Sequence, residues 1–207
     1  MTDTPRDSTE TADIDTDTET RTETAHGIAT PQAVCDFWFE TLTPKQWFAK
    51  DAALDGEIAA RFGATLAAAA RCELWHWRDT PTGRLAEIVV LDQFSRNVHR
   101  DTPAAFAQDP LALALAQELI ALREDTELPL TQRIFAYMPF MHSESLAIHA
   151  RAVALFDVPG METQLDYEHR HREILQRFGR YPHRNAILGR VSTPDEIAFL
   201  RQPGSTF

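Results

Sequence analysis

Three short polar segments carry the side chains of this chain that can do chemistry. The densest is Phe178-Gly179-Arg180-Tyr181-Pro182-His183-Arg184-Asn185, where two guanidiniums, an imidazole and a carboxamide fall within six residues. The second is Asp92-Gln93-Phe94-Ser95-Arg96-Asn97, with Arg100 nearby, and the third is His142-Ser143-Glu144. Such groups are costly to bury without partners, so a fold that keeps them together gives them a partner or a task. The planar fork of arginine suits carboxylates and phosphates, and a histidine beside a carboxylate suits proton transfer. Asp92, Arg96, Asn97, Arg180, Arg184 and Asn185 are therefore candidate ligand-binding residues. His142, Glu144 and His183 are candidate acid–base residues. From Asp166 to Arg190, six arginines and three histidines stand against three acids, a local surplus that would receive an anion.

Each segment also has a purely structural reading. Asp92 and Arg96 are four apart and would pair across one helical turn, with Asn97 as a helix stop. Ser143 would cap a helix with Glu144 in its first turn, which leaves His142 as a hydrogen-bonded core residue. The arginines of the octapeptide would satisfy helix-end carbonyls or acids elsewhere.

Other chemistries find little support. His169 and His171 are two apart, which sets them ~200° around a helix, too far to share an ion. A composite metal site from Asp92, His142, Glu144 and His183 has no supporting spacing, and no metal or cofactor is expected. Ser143 lacks a nucleophile elbow, and the scattered glycines form no phosphate loop. Trp38, Trp47, Trp75 and Trp77 read as core and packing residues rather than a base-stacking platform.

The elements that must position these residues are helical. The 207 residues are 43% hydrophobic and 25% charged, with a formal charge of −11, the composition of one soluble domain. Residues 1–30 hold eight acids against two arginines and hardly an apolar side chain, so residues 1–29 are expected to be a disordered Thr-rich tail. No basic face points to nucleic acid, no apolar run spans a bilayer, and the two distant cysteines read as reduced thiols of a cytoplasmic protein. Eighteen of the twenty basic residues are arginines, a bias that genomic base composition also produces.

Thr30-Pro31 and Thr80-Pro81 are helix starts, and Asp51 caps a helix on which Leu54, Ile58, Phe62 and Leu66 recur every fourth residue. The stretch from Leu85 to Leu91 is the most apolar and should lie at the centre. Further helices are expected from Asp109-Pro110 to about Arg123, from Thr131 until Pro139 stops it, and from Ser143 to Phe156. Another runs from Met161 or Glu162 to Phe178, with Gly179 at its C-terminal cap. Pro182 would start a short helix, and Thr193-Pro194-Asp195-Glu196 is a capping box. No period-2 run is present, so residues 30–207 read as one all-α domain of seven to nine helices.

These motifs together resemble an uncharacterised bacterial-type family, domain of unknown function nine-two-four. The likeness covers about residues 31–207. It rests on Asp36-Phe37-Trp38-Phe39, Lys45 with Trp47-Phe48, the three polar segments, Leu188-Gly189-Arg190 and Thr193. Ser95 stands where the family often has proline. The resemblance implies a tetratricopeptide-like array of antiparallel helical hairpins with degenerate repeats, and no activity. Two functional readings follow from the residues: a site for a small anionic ligand, enzymatic or not, or a scaffold that binds an acidic peptide.

Overall fold

The computed structural model describes residue 1 and residues 27–205; the disorder expected of the acidic tail concerns mainly residues 2–26, which lie outside the described residues. Nine helices and no strand are present among the described residues. They are α1 (31–41), α2 (Pro44–Trp47), α3 (Ala52–Ala70), α4 (81–98), α5 (Asp109–Ala121), α6 (Leu130–His142), α7 (Leu146–Phe156), α8 (Glu162–Phe178) and α9 (Pro194–Leu200). The fold is all-α. No helix among the described residues is long and apolar enough to cross a membrane.

The start signals act as their chemistry requires. Thr30, Asp51, Thr80 and Thr193 each accept a backbone N–H from the first turn they precede. Ala29 N–H donates to Thr65 Oγ1 at 2.8 Å, so contacts with the domain begin just ahead of Thr30. At the other end of α8, Gly179 takes φ +72°, the left-handed cap that a residue without Cβ adopts at no cost.

Helix α4 is the centre, and it is interrupted. Every residue from Gly83 to Ser95 is buried, as befits a helix apolar on nearly all sides. It packs on α1, α3, α5 and α6. Trp38 of α1 meets Phe94 and Phe135 edge-on, each ring pair at 5.6 Å. Residues Val90–Phe94 form a π turn rather than an α turn. A π turn adds one residue to the helix and shifts the faces that follow it, a distortion frequent at functional sites. Asp92 sits inside it.

Three local expectations are corrected. Pro139 does not stop its helix: α6 continues to His142 because the proline lies in the last turn, where only one backbone bond is lost and buried neighbours from Phe135 to Met141 hold the turn. His142 thus ends α6, and Ser143 is the C-terminal cap of α6 instead of the N-cap of α7. Trp75 is 66% exposed, in a short 3₁₀ segment outside the core, whereas Trp38 and Trp77 are buried.

Residues 179–193 return across the end of α6. Tyr181 is fully buried there, and its hydroxyl donates to the Met141 carbonyl at 2.6 Å. Pro182 begins only a 3₁₀ turn, Pro182–Arg184, in place of the expected short helix.

Candidate functional site

The π turn presents the Asp92 carboxylate, 1% exposed, to the end of α6. His142 Nδ1 lies 2.8 Å from Asp92 Oδ1 and Arg96 Nη1 lies 3.0 Å from the same oxygen. Burial alone would raise the Asp92 pKa; Arg96 and His142 outweigh it and hold the group down at about 2. An ionised carboxylate only accepts, so Nδ1 carries the imidazole proton and donates it. Burial first, and then Arg96, push the His142 pKa below its ordinary value, against the pull of Asp92. The neutral ring therefore keeps a lone pair on Nε2, which has no hydrogen-bond partner among the described residues. Its side chain is 17% exposed, into a cleft.

Arg96 bridges two acids. Besides Asp92 it reaches Asp109 Oδ1 at 2.9 Å, and its Nη1 also donates to the Asp92 carbonyl at 2.7 Å. Asp109, at the first turn of α5, also accepts from Arg184 Nη1 at 3.2 Å. That is the single hydrogen bond of the Arg184 side chain among the described residues, and its Nε is buried with no partner. The guanidinium is clamped between Phe106 and Tyr181, 4.6 and 4.7 Å from their ring centres. Burial, and then the nearby Arg96 charge, lower its pKa. A buried guanidinium in this condition is held at a cost.

On the far side, Glu144 is fully engaged. Arg190 grips both its oxygens at 2.6 and 2.9 Å, and Tyr181 N–H donates at 2.7 Å. Burial would raise the Glu144 pKa, but Arg190 and the Tyr181 N–H lower it further than burial lifts it. The Ser143 carbonyl beside it accepts from His149 Nε2 at 2.8 Å, and His149 Nδ1 faces Glu168 Oε1 at 2.6 Å, both side chains fully buried.

The cleft has a volume of ≈ 380 Å³. Asp109, His142, Ser143, Glu144 and Arg184 form its polar wall, and Pro103, Phe106, Ala107, Pro110, Leu113 and Leu188 its apolar one. Of the residues singled out in the sequence, His142, Glu144 and Arg184 line it, and Asp92 and Arg96 stand directly behind. The others are occupied elsewhere. Asn97 donates to Asp55, which also binds Arg100. Arg180 forms a two-pronged pair with Glu196 at the start of α9. Asn185 links Ser192 to Arg190. His183 stacks near Tyr181, ring centres 5.5 Å apart, and burial with the Arg184 charge lowers its pKa to about 4.

The positive surplus of the octapeptide is thus met by acids from other elements. Around the cleft, Asp92, Asp109 and Glu144 face Arg96, Arg184 and Arg190, three charges of each sign. Asp109, Phe106 and Tyr181 were not among the sequence candidates. Asp109 looks like an ordinary helix-opening acid, and nothing in its neighbours distinguishes it. Among the described residues no group of three or more His, Cys, Asp or Glu could hold a metal ion.

A model of a bacterial protein family of unknown function, DUF924, matches residues 34–204. A solved structure of a protein of unknown function from Agrobacterium tumefaciens is 41% identical, with a TM-score of 0.79 over 83% of this chain and 96% of that one. No curated protein matches. In agreement with the resemblance carried by its motifs, the chain belongs to the DUF924 family.

Proposed function

We propose that this DUF924 protein binds a small anionic molecule in the cleft between α5, the α6–α7 corner and the C-terminal segment, with Arg184 as anchor and His142 as general base. The observation that carries this reading is the state of Arg184. It is 6% exposed and ring-clamped, its side chain makes one hydrogen bond, at 3.2 Å, and it borders a cavity where a ligand oxygen could meet its terminal N–H groups. The Asp92–His142 pair supports the second half, since the carboxylate fixes the tautomer that leaves Nε2 basic.

Size favours a small molecule over a peptide: ≈ 380 Å³ is at the low end of ligand pockets, and Arg180 and Arg190 are already paired with carboxylates. Packing of consecutive helices from α4 to α8 on one another supports a tetratricopeptide-like framework behind the cleft. Cys35 and Cys72, both free, fit a reducing, cytoplasmic setting.

The test is a thermal-shift titration of the full chain with benzoate, acetate and phosphate, beside the variants Arg184→Met and Arg180→Ala. At a hundredfold excess over Kd, a ligand stabilises by about 2.7 kcal/mol. The expected result is a rise in Tm with at least one anion that Arg184→Met abolishes and Arg180→Ala retains. No shift with any anion, or shifts unchanged in Arg184→Met, contradicts the proposal.

A further inference from the structure

We infer that the cleft accepts a monocarboxylic acid with an apolar body, the carboxylate resting on Arg184 and one solvent proton passing to His142 Nε2 as it binds. The inference rests on the anion-site reading and adds the charge, shape and proton stoichiometry of the ligand.

Charge balance is the first argument. The acids and arginines around the cleft already cancel, three against three. One added negative charge leaves a buried excess that a single proton removes. A second would lie among Asp109 and Glu144 with nothing to offset it, and uncompensated charge in such a place is strongly disfavoured.

The second argument is where that proton can go. Glu144 is saturated by Arg190 and Tyr181 N–H, and Asp109, whose Oδ1 accepts no hydrogen bond, lies against the guanidiniums of Arg96 and Arg184. His142 Nε2 is a ring nitrogen on the polar wall with no hydrogen-bond partner among the described residues, and unlike Asp109 it is not paired with a guanidinium. The groups facing His142 are Asp92 and Arg96 from α4, Asp109 from α5, Glu144 from the corner, His171 from α8, and His183 and Arg184 from the C-terminal segment. In the unliganded cleft Arg96 opposes the protonated ring while Asp92 supports it. A carboxylate on Arg184 adds negative charge beside the ring and tips that balance toward imidazolium.

The third argument is the shape of the opposite wall. Phe106, Leu113 and Leu188 provide a surface that a hydrated polyanion does not match and that an aryl or alkyl body covers.

The experiment is isothermal titration of the full chain with benzoate, phthalate and benzamide in imidazole and in bis-Tris buffer, between pH 5.5 and 7.5. Both buffers are cationic, so neither competes for Arg184, and their different ionisation enthalpies report protons taken up. The expected result is benzoate binding with uptake approaching one proton, an affinity that falls by up to about tenfold per pH unit, and phthalate and benzamide at least about tenfold weaker. His142→Asn, which can still donate to Asp92, should bind benzoate without proton uptake. Benzoate binding with no uptake across the range, or phthalate binding the tighter, overturns this inference and leaves the anion site standing. Failure of all three to bind overturns this inference, and it overturns the site as well when acetate and phosphate also give no thermal shift. The wild-type proton count decides even if His142→Asn is misfolded by circular dichroism.

Discussion

His142 and Asp92 are fifty residues apart in sequence and meet at 2.8 Å. The contact needs the π turn of α4 to deliver the carboxylate and the last turn of α6 to deliver the ring. It joins the most buried helix to the mouth of the cleft, and it sets which imidazole nitrogen is free.

Asp92→Asn should therefore be costly. It leaves Arg96 with Asp109 as its remaining acid and removes a charge from a buried network, a change worth about 3–5 kcal/mol. Chemical denaturation of Asp92→Asn beside wild type checks this; a loss below about 1 kcal/mol would mean that the pair is not the tie described.

Arg184 should behave in the opposite way. Its guanidinium is buried, poorly satisfied and repelled by Arg96, while Asp109 keeps Arg96 as a partner if Arg184 is removed. Arg184→Met, similar in length and apolar between Phe106 and Tyr181, should leave Tm unchanged or raise it. A clear fall in Tm would make the residue a structural one.

Arg180 and Asn97 should influence stability and leave binding alone. Arg180→Ala strips a partner from Glu196, whose side chain is 2% exposed, and Asn97→Ala removes a hydrogen bond to Asp55. Asn97→Ala should cost about 1–3 kcal/mol, and Arg180→Ala should lower Tm. Benzoate affinity measured by titration should stay within about twofold of wild type. A larger change would bring these residues back into the site.

The difference between these residues and the cleft residues explains what was legible in the sequence. Thr30, Asp51, Thr80 and Thr193 act as caps because capping depends on neighbours a few residues away. The central place of α4 follows from its apolar run. Convergence does not follow from residue type: Arg96 and Asn97 are adjacent, so their side chains leave the helix about 100° apart, and only Arg96 turns to the cleft. The π turn of α4 has no local signature in the sequence. Nor does the His149–Glu168 pair, although Glu168, His171 and Leu175 share the buried side of α8.

The dependence of stability on pH carries its own sign. Burial is the first cause of the low pKa values of His142, His171 and His183, in the last two to about 3 and about 4. The unfolded chain takes up protons at these positions near the ordinary value of 6.5, while the folded chain does so only at lower pH. Their contribution is therefore fully present above pH ~6.5 and declines as pH falls toward about 3. Asp92, held at about 2, adds a loss that begins as pH falls through the ordinary carboxylate range and continues down to about 2. Denaturation midpoints should thus fall steadily from pH ~6.5 to 4.5, ahead of carboxylate titration. A flat profile over that interval would contradict the assignment of buried, neutral histidines.

The most direct measurement is a crystal structure of the full chain grown with saturating benzoate. Its carboxylate is expected on Arg184, with His142 Nε2 within hydrogen-bond distance and the ring against Phe106 and Leu188. Benzoate found only outside the cleft, or a cleft that holds none of it at saturation, would contradict Arg184 as the anchor of a ligand site.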